Sequence, residues 1–87
     1  MKMIILIAKD NDADAITQTL TTAEYRVTRV SSTGGFLRSG VVTLLLGVDD
    51  DRVDSAIGLV RTKLGSSASG EKRVTLFVVP VERFEQV

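Results

Sequence analysis

The sequence predicts an α+β fold in a single domain spanning 1–87, with a four-stranded antiparallel sheet and two helices on one face. Three observations predict it. Apolar, β-branched runs and helix-period segments follow one another in the order strand, helix, strand, strand, helix, strand. Glycine, serine and aspartate collect at the joints between them. The chain of 87 residues is long enough for one small domain and no more.

The elements follow in order. Met3-Ile4-Ile5-Leu6-Ile7-Ala8 is short, continuous and branched, which favours a buried strand. Asp10, Asn11 and Asp12 are good N-cap residues, and Ile16, Leu20 and Ala23 follow at helical spacing, which predicts a helix over 12–23. Tyr25, Val27, Thr28 and Val30 predict a strand over 25–32. Gly34, Gly35 and Gly40 punctuate a loop over 31–40, and 41–48 reads as a second strongly apolar strand. Asp49, Asp50 and Asp51 precede Val53, Ala56, Ile57, Val60 and Leu64, an amphipathic helix with Gly65 placed as its C-terminal cap. The stretch 65–72 is a flexible connector, 74–79 is the fourth strand, and Pro80 ends that strand or marks it as an edge. This order is the ferredoxin-like βαββαβ arrangement, in which right-handed crossovers put both helices on one face.

That arrangement raises a packing problem. A strand with one wet face alternates apolar and polar residues. Ile4-Ile5-Leu6-Ile7, Leu44-Leu45-Leu46 and Leu76-Phe77-Val78-Val79 do not alternate. With the first and third strands central, the face away from the helices exposes an apolar patch that a monomer rarely tolerates. Covering about 500 Å² of it is worth on the order of 10 kcal/mol before association costs. The expectation is a homo-oligomer. The alternative is that the tail, 81–87, folds back over the face.

Composition narrows the function. Lysine plus arginine and aspartate plus glutamate number 11 each, so no net charge draws the chain to nucleic acid or an anionic membrane. There is no cysteine and no histidine, which removes thiol nucleophiles, imidazole catalysis and almost all zinc chemistry. No catalytic residues, metal ligands or cofactors are expected, and the chain reads as a non-enzyme. No apolar run reaches the ~20 residues of a membrane span, and the run at the start is too short for a signal peptide. The expectation is a soluble, cytoplasmic protein.

The densest candidate for ligand chemistry is Ser31-Ser32-Thr33-Gly34-Gly35-Phe36-Leu37-Arg38-Ser39-Gly40. Gly34 and Gly35 permit close backbone approach, and successive amides there can form an anion nest. Thr33 adds a hydroxyl, Arg38 a forked cation suited to phosphate, and Phe36 a ring that stacks on a base. Arg26 and Thr28 lie on the strand feeding this loop, on one face at period two. A plain hairpin that needs glycine for its turn and serine for solubility reads the same. The loop is neither a P-loop nor a dinucleotide-binding fingerprint, since no lysine follows the second glycine and the loop opens no helix. Asp49, Asp50, Asp51 and Asp54 complement a helix N-terminus rather than hold a cation, and Arg61, Lys63, Lys72 and Arg73 surround a helix C-terminus, where cations are expected.

Arg26-Val27-Thr28 followed by Ser32-Thr33-Gly34-Gly35-Phe36-Leu37-Arg38-Ser39-Gly40 resembles the PII-like cyclic di-AMP receptor family. Gly47-Val48-Asp49-Asp50-Asp51-Arg52-Val53-Asp54 and the end of the chain, from Arg73 to Gln86, fit the same family. The resemblance implies a homotrimer with a nucleotide, cyclic di-AMP or a relative, in clefts between subunits, and a downstream protein partner. Carried over by position, it implies that Arg26, Thr28, Gly35, Phe36, Leu37 and Gly47 line the cleft, with Phe77 and Gln86 beside them. Two departures stand out. Val41 occupies the place of an adenine-contacting asparagine, and a buried base edge left without that partner costs ~1–3 kcal/mol. The connector 65–72 is also far shorter than the family's. These departures leave a second expectation open, an oligomeric structural or interaction module that has lost nucleotide binding.

Overall fold

A computed structural model of the chain describes residues 1–31, 40–65 and 73–87. The strands are β1 (Lys2–Lys9), β2 (Thr28–Ser31), β3 (Val41–Val48) and β4 (Val74–Pro80), and the helices are α1 (Asp10–Thr22) and α2 (Val53–Leu64). All neighbouring strands are antiparallel, in the order β2-β3-β1-β4, which is the ferredoxin-like sheet. β1 and β3 are central as expected. The two edges differ: β2 has four residues, and β4 ends at Pro80, which has no N–H to give a ladder.

Burial alternates along the central strands. Ile4, Leu6 and Ala8 of β1, with Val42, Leu44, Leu46 and Val48 of β3, are buried against the helices. Ala13, Ile16 and Leu20 of α1 and Ala56 and Val60 of α2 complete that layer at helical spacing. A crevice between α2 and the sheet, lined by Ile4, Leu46, Ile57, Val60 and Leu76 among others, is too narrow for a water molecule and is core packing.

Two expectations are corrected. The helix begins at Asp10, not at residue 12, and no aspartate side chain caps it. β1 stays paired with β3 to Lys9↔Val41 and passes straight into the helix, where the Asp10 N–H donates to the Gly40 carbonyl at 2.8 Å. The strand expected over 25–32 is paired only over Thr28–Ser31. The residues before it are used to end α1. Tyr25 N–H reaches back to Leu20 O at 2.9 Å and Glu24 N–H to Thr21 O at 3.0 Å, with Glu24 in the left-handed region at φ 70°. This turn drives the Tyr25 ring into the core, under the Arg52 guanidinium at 4.2 Å. The helix α2 begins at Val53 as expected, and the residues before it, Asp50–Arg52, form a 3₁₀ turn. Gly65 does end α2 at φ 67°, its N–H on Arg61 O.

The tail does not cover the open face. Val81 N–H donates to Met1 O at 3.1 Å, and every residue from Glu82 onward is exposed, Phe84 at 64%.

Candidate functional site on the open sheet face

Residues paired across antiparallel strands share a face. The face away from the helices therefore carries the rows Thr28–Leu45–Ile5–Phe77, Val30–Thr43–Ile7–Thr75 and Gly47–Met3–Val79. Val30 is 42% exposed and Phe77 51%, while Met3, Ile5, Ile7 and Leu45 are half-buried by their neighbours alone. Nothing else in the chain among the described residues covers them.

The residues expected to bind ligand fall into separate places. Thr28 is exposed on β2, on the open face. Arg26 stands two residues before the first β2–β3 pair, Thr28↔Leu45, and Gly47 two residues beyond that pair along β3. Val27 packs on the core, so the residues on either side of it, Arg26 and Thr28, turn the other way. Arg26 is exposed and makes no ion pair or hydrogen bond with the described residues. Gly47 is exposed, and a Cβ there would meet only the far end of the Met1 side chain, Cε at 3.2 Å, which lies over it. A cation, a hydroxyl and bare backbone thus share one corner of the face.

Phe77 sits at the other edge of the Thr28 row, three strand spacings away, about 14 Å. Gln86 lies in the exposed tail beyond that edge. Thr33, Gly34, Gly35, Phe36, Leu37 and Arg38 lie outside the described residues, as does the connector 66–72. The 32–39 segment leaves the sheet at the end opposite Gly47, next to Val41, which is about 20 Å from Gly47 along β3. Val41 is on the open face, paired with Lys9.

The charged clusters serve structure. Arg29 pairs with Asp14 at 2.5 Å and ties β2 to α1. Arg73 pairs with buried Asp12, Nε to Oδ2 at 3.4 Å, and donates to Leu64 O at 2.9 Å, closing the C-terminus of α2. No sequence signal links Asp12 to Arg73, 61 residues apart. The Met1 ammonium lies 2.9 Å from Asp50 and holds its carboxyl below the usual 3.8. Among the described residues no acidic cluster is arranged to hold a metal ion, and no helix is long and apolar enough to cross a membrane.

The ferredoxin-like sheet with both helices on one face is the architecture of the PII-like class of small signalling domains. The chain belongs to the cyclic-di-AMP receptor family, whose model matches residues 1–69. It is similar to the nitrogen fixation nifHD region GlnB-like protein 1 of Methanothermococcus thermolithotrophicus, 30% identical over 94 residues that cover 93% of this chain and 88% of that protein. The crystal structure of a functionally unknown protein from Pediococcus pentosaceus ATCC 25745 is similar over 99% of this chain and 96% of its own, at 28% identity and a TM-score of 0.75.

Proposed function

We propose that the protein is a cytoplasmic, non-catalytic receptor that binds a nucleotide, cyclic di-AMP or a related molecule, in clefts between the copies of a homotrimer. One observation carries this reading. Arg26 and Thr28 lie at the β2 side of the open face with Gly47 on the neighbouring strand β3, and Phe77 and the tail bearing Gln86 lie at the opposite edge. Within one copy these edges are too far apart to close on one small group. Copies arranged around a ring bring one edge against the other and bury the apolar rows between them. Arg26 then supplies charge for a phosphate, Thr28 a hydroxyl, Gly47 a flat approach and Phe77 a ring for a base. Ligand binding favours one arrangement of the cleft, and a partner protein reads the change.

Light scattering on the eluting protein tests the assembly: three copies of 9.4 kDa give about 28 kDa. A clean monomer at micromolar concentration removes the cleft and the reading with it. Calorimetry with cyclic di-AMP tests the ligand.

Val41 favours a second reading, an oligomeric module that no longer binds nucleotide, because an apolar side chain on the open face has nothing to give an adenine edge. Val41→Asn decides between them. Under the receptor reading it tightens an existing affinity for cyclic di-AMP by about tenfold, or ~1.4 kcal/mol. A trimer that ignores cyclic di-AMP and other mono-, di- and cyclic nucleotides, with and without the substitution, establishes the second reading.

A further inference from the structure

Gly47 has no side chain, yet the surface this opens is occupied. The thioether methyl of Met1 meets the place a Cβ would take, with Cε at 3.2 Å. Met1 stands two residues before Met3, the β1 partner of Gly47, so it falls on the same, open face. Its main chain is held on both sides. The ammonium lies 2.9 Å from the Asp50 carboxylate, and the carbonyl accepts the Val81 N–H at 3.1 Å. The side chain is not held in this way. Met1 is 47% exposed, and an unbranched thioether changes rotamer readily. An anchored residue thus lays a movable side chain on the backbone that a ligand needs for close approach.

We propose that Met1 sets the affinity of this corner: its side chain occupies the place above Gly47, and an incoming nucleotide must displace it. That a nucleotide comes here rests on the function proposed above. Arg26 and Thr28 are exposed, whereas Gly47 is reached only once the thioether swings away. The displaced tip gives up its contact with Gly47 and returns to water. At the scale of one methyl group, this leaves the corner open about a quarter of the time and lowers affinity about fourfold. Asp50 governs how often Met1 stands in place, because its carboxylate fixes the ammonium of the residue that bears the thioether.

Calorimetry with cyclic di-AMP tests it on Met1→Gly, made by cleaving an N-terminal fusion directly before residue 1. This variant keeps an ammonium opposite Asp50 and loses only the side chain. It is expected to bind about fourfold more tightly than the wild type. Asp50→Asn is expected to tighten binding in the wild-type chain and to add nothing in Met1→Gly. Unchanged or weaker binding by Met1→Gly overturns the proposal, since Met1 is then a bystander or a wall of the site. An equal gain from Asp50→Asn in both backgrounds is charge acting on the anion, and it overturns the part given to Asp50. NMR of the chain labelled with ¹³C-methyl methionine needs no nucleotide. The Met1 methyl is expected to show a nuclear Overhauser effect to the Gly47 α protons, which added cyclic di-AMP removes. Its absence from the free protein overturns the proposal whatever binds. Cyclic di-AMP that binds neither chain, with the Overhauser effect present, sinks the receptor reading and the competition with it, while the cover over Gly47 stands.

Discussion

Glu24 and Arg26 show how differently neighbouring residues are constrained. Glu24 holds φ 70° because the turn ending α1 needs a left-handed residue, where any side chain costs about 1–2 kcal/mol that glycine avoids. After glycine's greater loss of chain entropy, Glu24→Gly is expected to stabilise the fold by about 0.5–1 kcal/mol, read as a higher urea midpoint at unchanged slope. A lower midpoint contradicts the turn assignment. Arg26 is exposed and makes no hydrogen bond or ion pair among the described residues, so no polar contact there depends on its charge. Arg26→Ala is expected to leave the urea midpoint in place and weaken an anionic nucleotide by about tenfold, ~1.4 kcal/mol. Calorimetry showing unchanged affinity takes Arg26 out of the site.

Among the elements, β1, β3 and α2 stand where periodicity places them, because long apolar patterns leave little choice of face. β2 is shorter than its β-forming residues suggest. Tyr25 has strand propensity, but burying its ring beneath Arg52 and closing the α1 turn outweigh a few edge hydrogen bonds. The Asp10–Asp12 run likewise looks like a set of side-chain caps, yet Asp12 is spent on Arg73, and Asp10 receives a carbonyl from Gly40 instead. The start of β1 and the 3₁₀ turn are joined by the Met1 ammonium and Asp50. Because that contact lowers the Asp50 pKa in the folded chain, its contribution is present above the ordinary value of 3.8 and is lost as pH falls through the depressed one. With no histidine, urea unfolding is expected to be flat between about pH 5 and 7 and to weaken below about pH 4. A step near pH 6 contradicts this account.

At the scale of the molecule, the chain is a slab with extents of 39 × 32 × 21 Å, one side of which is apolar and uncovered. Ile5 stands in the middle of that side, paired with Leu45 and Phe77, and points away from the core. Ile5→Asp is therefore expected to reduce the proposed trimer to monomers in light scattering and to abolish the proposed nucleotide binding with it. Circular dichroism should still show both helices. A trimer that survives the substitution means the copies meet elsewhere, and the proposed cleft fails.

Read alone, the sequence determined the element order, the central place of β1 and β3, and the surplus of apolar residues that one copy leaves uncovered, because periodicity and branching report burial directly. Only the tertiary structure decided that Phe77 faces the opposite edge, that the tail leaves the face bare, and that Asp12 belongs to Arg73. Those are matters of register and of contacts between distant parts of the chain, and local sequence carries no energy term that depends on them.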